Sequence, residues 1–215
     1  MKRLLTLASV ALMASTTASA ASQTSDLPIP PPDTPVEPAN LKPTLHNPPS
    51  VGISLGELHV TFEKSTLAGI RQKIGTGIIS HHGDAGDSLA WLCYTIPGTQ
   101  ATTRLWLSSG ELEGNTFISS ATAELSHGTI ATSAQCPDLP LHFRHITLDH
   151  ALWLGMPDAS FDKALGSPSH EHEGWRMFNY LAPVNQGRCE QQNWLWTHAT
   201  DGHVTRIDAG QTSSC

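Results

Sequence analysis

Leu89–Pro97 (LAWLCYTIP) and Trp175–Pro183 (WRMFNYLAP) align without a gap and share Tyr-x-x-Pro. Both are rich in the aromatic and apolar side chains that favour a pleated, half-buried surface, and both end at a proline. A second pair of runs follows: Arg104–Ser108 (RLWLS) matches Trp194–His198 (WLWTH). The later run turns at Asp201-Gly202, a hairpin dipeptide, into His203–Ile207 (HVTRI). The earlier one turns at Ser109-Gly110 and continues through Thr116 to Leu125.

A short helix is predicted ahead of each set of strands. In the first half, Ile53–Leu55 leads to Ser65-Thr66, an N-cap pair, with Leu67, Ile70 and Ile74 on one face and a stop at Gly75-Thr76-Gly77. In the second, Ile146–Leu148 leads to Gly155-Met156-Pro157-Asp158, then Phe161, Ala164 and Leu165. Pro157 suits the first helical position, Asp158 complements the helix dipole, and Gly166 with Pro168 ends the helix. The expected fold class is therefore α+β: two tandem helix–β-strand repeats forming an antiparallel sheet with helices on one face. Repeat 1 spans 51–136, repeat 2 spans 137–215, and Cys136–Pro140 is the joint. Such a unit cannot bury its apolar face alone, so the two are expected to dock.

The remainder of the 215-residue chain sets the context. Lys2 and Arg3, an apolar run from Leu4 to Met13, and Ala18-Ser19-Ala20 make residues 1–20 a secretory signal peptide with cleavage near Ala20. No Cys follows the apolar run, so no lipid acceptor is expected, and the mature chain is assigned to the periplasm or the medium. Residues 26–50 hold nine of the fifteen prolines, which makes 21–50 a Pro-rich disordered linker of polyproline-II type. The formal charge of −7 argues against duplex nucleic acid as a partner, and no apolar run reaches the length of a membrane span. In an oxidising compartment the four cysteines are expected as disulfides. Of the three possible connectivities, Cys93–Cys136 with Cys189–Cys215 is favoured because each bridge closes one half of the chain.

The order Gly155-Met156-Pro157-Asp158, Leu165-Gly166-Ser167-Pro168, aromatic strands, then Asp201-Gly202 and His203–Ile207 resembles the BamE/SmpA outer-membrane-assembly lipoproteins. Two such units in one exported chain resemble the tandem-repeat β-lactamase-inhibitor proteins. The match covers Leu148–Asp208 well, and Ile53–Leu125 only at the helix and two strands. The resemblance implies a protein-binding module and no catalysis; the missing lipobox Cys sets this chain apart from the BamE lipoproteins.

Period-2 alternation sorts the strand residues into two faces. One collects Leu92, Tyr94, Ile96, Leu105 and Leu107, with Phe178, Tyr180, Leu195 and Thr197 as counterparts, and is expected to pack under the helices. The opposite face collects Trp91, Arg104, Trp106, Trp175, Met177, Trp194 and Trp196. Those seven are the candidate partner-binding residues on an open sheet face, since Trp and Arg dominate protein-binding hot spots; cover by the other repeat or by the 110s loop is the competing reading. His81, His82, Asp84 and Asp87, and His170 and His172 with Glu171 and Glu173, fall in two equivalent loops and are the expected polar rim. Imidazole and carboxylate together also suit zinc or copper, but neither loop supplies a convergent ligand set, so no metal and no other cofactor is expected. There is no Gly-x-Ser-x-Gly elbow and no phosphate loop, so the chain is expected to be non-catalytic. The expected function is periplasmic protein binding, as an inhibitor or immunity-type antagonist of an exported enzyme or toxin, with a basic envelope or secreted partner. The alternatives are an envelope-assembly accessory, and a metal-binding protein or metal hydrolase using the His-rich loops.

Overall fold

Residues whose side chains alternate between apolar and polar, or are apolar on both sides, extend into strands, and such strands dominate this chain. The computed structural model describes residues 27–35, 41–128, 130 and 132–215. The signal peptide expected over 1–20 lies outside the described residues. In chain order the elements are β1 (Gly52–Leu55), β2 (Leu58–Thr61), α1 (Leu67–Ile74), β3 (Ser80–His82), β4 (Leu89–Pro97), β5 (Ala101–Gly110) and β6 (Ser120–His127). There follow β7 (Ile146–Leu148), α2 (Ala159–Leu165), β8 (His170–His172), β9 (Trp175–Val184), β10 (Cys189–Thr200) and β11 (His203–Ser214). Eight strands form one antiparallel sheet in the order β3-β4-β5-β6-β11-β10-β9-β8, and β2-β1-β7 form a second sheet of three.

The α+β assignment is corrected by this architecture. Among the described residues strand accounts for 45% and helix for 14%, so the fold is mainly β and not a pattern of helix–strand repeats with helices covering one face. The physical reason is size. Helix α1 has eight residues and buries Leu67, Ile70 and Ile74; α2 has seven and buries Phe161. Two helices of two turns each cannot cover an eight-stranded sheet. The three-stranded sheet supplies the rest of the layer, through Ile53, Leu55, Val60, Ile146 and Leu148. In the sequence Ile53–Leu55 and Ile146–Leu148 look like lead-ins to helices; in the fold they pair with each other, Ile53 opposite Leu148 and Leu55 opposite Ile146.

Local signals act where their chemistry allows. Thr66 caps α1 by accepting a hydrogen bond from the Gly69 N–H at 3.1 Å, and Gly75 ends it at φ 82°, where its own N–H reaches the Arg71 carbonyl. Asp201 (φ 51°) and Gly202 (φ 74°) both take the left-handed conformation that a tight two-residue hairpin requires, and so join β10 to β11. The turn expected at Ser109-Gly110 falls later, because β5 runs to Gly110 and residues 111–116 make the connection. Arg176, on β9, fastens α2 to the sheet through Asp158 at 2.8 Å and Asp162, and also bonds Glu171 on the neighbouring β8 at 3.0 Å. Burial disfavours the charge on Arg176, but the three carboxylates outweigh it and hold its pKa above the ordinary guanidinium value.

Both disulfides have the favoured pairing, Cys93–Cys136 and Cys189–Cys215. They close loops of 43 and 26 residues, each worth about 3–4 kcal/mol in the chain-entropy account. Two bridges and no free cysteine among the described residues fit an oxidising, extracytoplasmic location. No helix of the described residues is long and apolar enough to cross a membrane.

If the small sheet is a full partner in the core, Ile53→Ala should lower the unfolding free energy by about 2–5 kcal/mol. Leu141→Ala, at a side chain that is 79% exposed, should stay within about 0.5 kcal/mol. Urea denaturation of the oxidised protein measures both.

Candidate binding face

Alternation along β4, β5, β9, β10 and β11 gives the large sheet two unlike faces. The inner face carries Leu92, Tyr94, Leu105, Leu107, Phe178 and Leu195 into the main core. The outer face is organised in rows that run across the strands. One row reads Trp91, Ser108, Ser120, Gly210, Trp194 and Asn179; the next reads Cys93, Trp106, Thr122, Asp208, Trp196 and Met177. A third reads Arg104, Glu124, Arg206, His198 and Trp175. The two strands at the middle, β6 and β11, thus contribute small or polar residues, Ser120, Thr122, Asp208 and Gly210. Indoles flank them on both sides. The result is a shallow trough with aromatic walls.

All seven residues expected on an open face do share this outer face, but the face is not open. Trp91 and Trp106 are 2% exposed, Met177 1% and Trp196 3%; Arg104, Trp175 and Trp194 are half-buried. Two covers account for this. The Cys93–Cys136 bridge brings Cys136 down onto Trp91 and Trp106, and Ile29 packs on the same cluster. Residues 27–35, which composition marks as a free spacer, lie across the sheet. The Trp106 indole N–H donates to the Ile29 carbonyl at 3.0 Å, and the Arg206 guanidinium donates to the carbonyls of Pro32, at 2.8 Å, and Asp33. Thr34 and Pro35 lie beside Met177, Trp194 and Trp196. From Ile29 to Pro35 is about 19 Å of polyproline-II chain at about 3.1 Å per residue, which matches about four strand spacings of about 4.8 Å.

The next described residues, 41–50, lie at the β9 edge and the inner face. The Leu45 N–H bonds the Asn179 carbonyl at 3.2 Å, and the Ser50 carbonyl, now under the inner face, accepts from Asn193 Nδ2 at 3.1 Å. The packed chain therefore begins before Val51.

Several residues that organise the face are absent from the expected site. Asp208, only 8% exposed, accepts from the Trp194 indole N–H at 2.8 Å and from the Thr122 hydroxyl at 2.6 Å, and so fixes one wall to the floor. Arg206 stacks over the Trp175 ring at 4.9 Å. Burial pushes its pKa below the ordinary guanidinium value, with Glu124, Asp208 and Asp33 opposing. The signal for both was present in period 2 along 203–208, but their neighbours on β6 are some eighty residues away in sequence.

The two histidine groups part company. His81 and His82 lie on β3 and His170 and His172 on β8, the opposite edges of the large sheet, about 34 Å apart at about 4.8 Å per strand. They are edge strands rather than loops, in matching positions at opposite ends of the sheet, and cannot frame one site together. Asp84 and Asp87 follow β3 and are exposed. His170 and His172 stand opposite Met177 and Trp175 on the outer face, His170 edge-on to Trp196 at 6.2 Å. Among the described residues no three His, Cys, Asp or Glu side chains are placed to hold a metal ion.

No protein-family model matches the chain, and neither a curated protein nor a solved structure matches it.

The floor of the trough has a specific steric requirement. A Cβ at Gly210 would stand 2.2 Å from Trp194 Cζ2 and 2.8 Å from the Ser119 carbonyl oxygen. Gly210→Ala should therefore lift the Trp194 ring off the sheet, cost about 1–3 kcal/mol, and break the Trp194–Asp208 hydrogen bond. A change in near-ultraviolet dichroism, together with a lowered melting temperature, checks this; an unchanged spectrum would contradict the packing.

Proposed function

We propose that this chain is a non-catalytic, periplasmic protein-binding protein that antagonises an exported enzyme or toxin through the outer face of its large sheet. The observation that carries the reading is the half-open end of that face. Trp175 lies there under Arg206 and 5.0 Å from the His198 ring, with Trp196 edge-on at 6.4 Å. A stacked indole and guanidinium on a flat sheet combine large apolar area with directed donors, the combination that supplies most binding energy at protein interfaces.

Other features support the same reading. The two disulfides suit an exported protein that meets its partner outside the cytoplasm. The excess of 19 acidic over 12 basic residues favours encounter with a basic partner. The resemblance of 148–208 to envelope-assembly and inhibitor modules also implies binding without catalysis.

Capture from an envelope extract on the immobilised mature chain, followed by titration of the purified partner, tests the proposal. Trp175→Ala and His198→Ala should each weaken binding about tenfold or more, with melting temperatures within about 2 °C of the parent. A partner bound equally by both variants would place the interface elsewhere and overturn the assignment.

A further inference from the structure

Why does a proline-rich segment lie where the aromatic face is most enclosed? Five of the nine residues in Leu27–Pro35 (LPIPPPDTP) are proline. Proline has no N–H, so such a segment offers its surroundings chiefly carbonyl oxygens, already arrayed in an extended form that loses little entropy on docking. A surface that holds it must supply donors and flat apolar rings. The outer face does both: the hydrogen bonds described for 27–35 run from the Trp106 indole and the Arg206 guanidinium to the carbonyls of Ile29, Pro32 and Asp33. Aromatic grooves that recognise proline-rich peptides work by this chemistry.

We propose that the trough across the outer face is a receptor site for an extended, proline-rich segment of a partner protein, and that residues 27–35 occupy it in cis as a built-in competitor. This deepens the proposed function and rests on the outer face being the binding face. Two observations separate a receptor from a permanent cover. First, the strap leaves donors unmatched: Trp91 Nε1, Arg104 Nε and Arg206 Nε are buried without a hydrogen-bond partner among the described residues. A buried donor without an acceptor is costly, and a segment with carbonyls in better register relieves that cost. Second, the strap adds no strand to the sheet: it crosses the strands, is held by side-chain donors, and contributes none of the backbone-to-backbone bonds described.

The chemistry of the partner segment follows from the walls. An apolar residue belongs beside Trp106, where Ile29 packs now, a proline beside Trp194, where Pro35 lies, and an acidic residue beside Arg206. Asp33 stands there now, its charge favouring the cationic form of that guanidinium. Tethering gives the cis segment an effective concentration on the order of millimolar, so a partner must exceed that competition or present several copies of its motif.

The test uses the whole mature chain. In one variant residues 27–35 are replaced by a Gly-Ser sequence of equal length; a milder variant, Ile29→Asp, serves if the first does not fold. The probe is a fluorescein-labelled peptide with the sequence of residues 27–35, and the readout is anisotropy. The released variant should bind the probe at least tenfold more tightly than the parent, and Trp106→Phe in that background, which removes the donor but keeps an aromatic ring, should undo most of the gain. A folded, released variant that ignores the probe would overturn the proposal, as would equal binding of a Gly-Ser peptide carrying one Asp. Strap-dependent dimers of the parent protein would assign the trough to a second copy and overturn the partner claim. Failure here with Trp175-dependent capture intact removes only the trough, whereas loss of both removes the binding face.

Discussion

An antiparallel sheet that is apolar on both faces has to be covered on both, and this requirement shapes the whole molecule. Strands β4, β5, β9 and β10 carry leucine, tyrosine and phenylalanine inward and tryptophan and methionine outward. Sheets with one solvated face show a clean alternation of apolar and polar; these strands do not. The inner cover is made from two short helices and a three-stranded sheet. The outer cover is lighter: one disulfide-held turn at Cys136 and a crossing strap that includes Ile29. The unequal weight of the two covers is the origin of the candidate site.

The junction of the two halves follows from the same demand. Strands β6 and β11 meet with Thr122 opposite Asp208, Ala121 opposite Ala209 and Ser120 opposite Gly210. Small side chains here let the strands supply a low floor on the outer side while Ala121, Ala123, Ile207 and Ala209 still fill the core on the inner side. Larger residues on the outer side would leave no room for Trp194 to lie across Gly210, and the indole would lose Asp208 as its acceptor. The trough and the seam of the sheet are thus one feature. A change made to tune the first acts on the second.

How much of this could be read beforehand depends on the range of the interaction. The cap at Thr66, the hairpin at Asp201-Gly202 and the two-faced character of 89–97 and 175–183 are set by residues within a few positions, and the sequence shows them. The small sheet was hidden because three- and four-residue apolar segments carry no period, and because Ile53 meets Leu148 only after ninety-odd intervening residues have folded. The outer face illustrates a different limit. Parity correctly grouped Trp91, Trp106, Trp175, Trp194 and Trp196, yet exposure is a property of the assembled molecule. Composition marks 27–35 as a chain that cannot fold on its own; it is silent on whether another surface will hold it. The acceptor-only character of those prolines was visible, but the donors that match it, Trp106 and Arg206, come from strands that neighbour each other only through β6.

The strength of the outer cover decides whether the face can act at all. A hydrogen bond in water nets about 0.5–1.5 kcal/mol, and those from Trp106 and Arg206 are few. Burying Ile29 adds at most about 1.5–3 kcal/mol, and the side chain is only half-buried. Against this stands the ordering of the strap, about 1–2 kcal/mol for each residue not already stiffened by proline. These contributions are of one size, so the strap opens at a small fraction of the free energy that global unfolding requires. The inner layer is different in kind: Leu55, Val60, Phe62 and Phe161 are fully buried there, and no part of it lifts without breaking the core. The face that carries the indoles thus has the lighter cover, and the disulfide at Cys93 ties the sheet beneath it to the turn at Cys136.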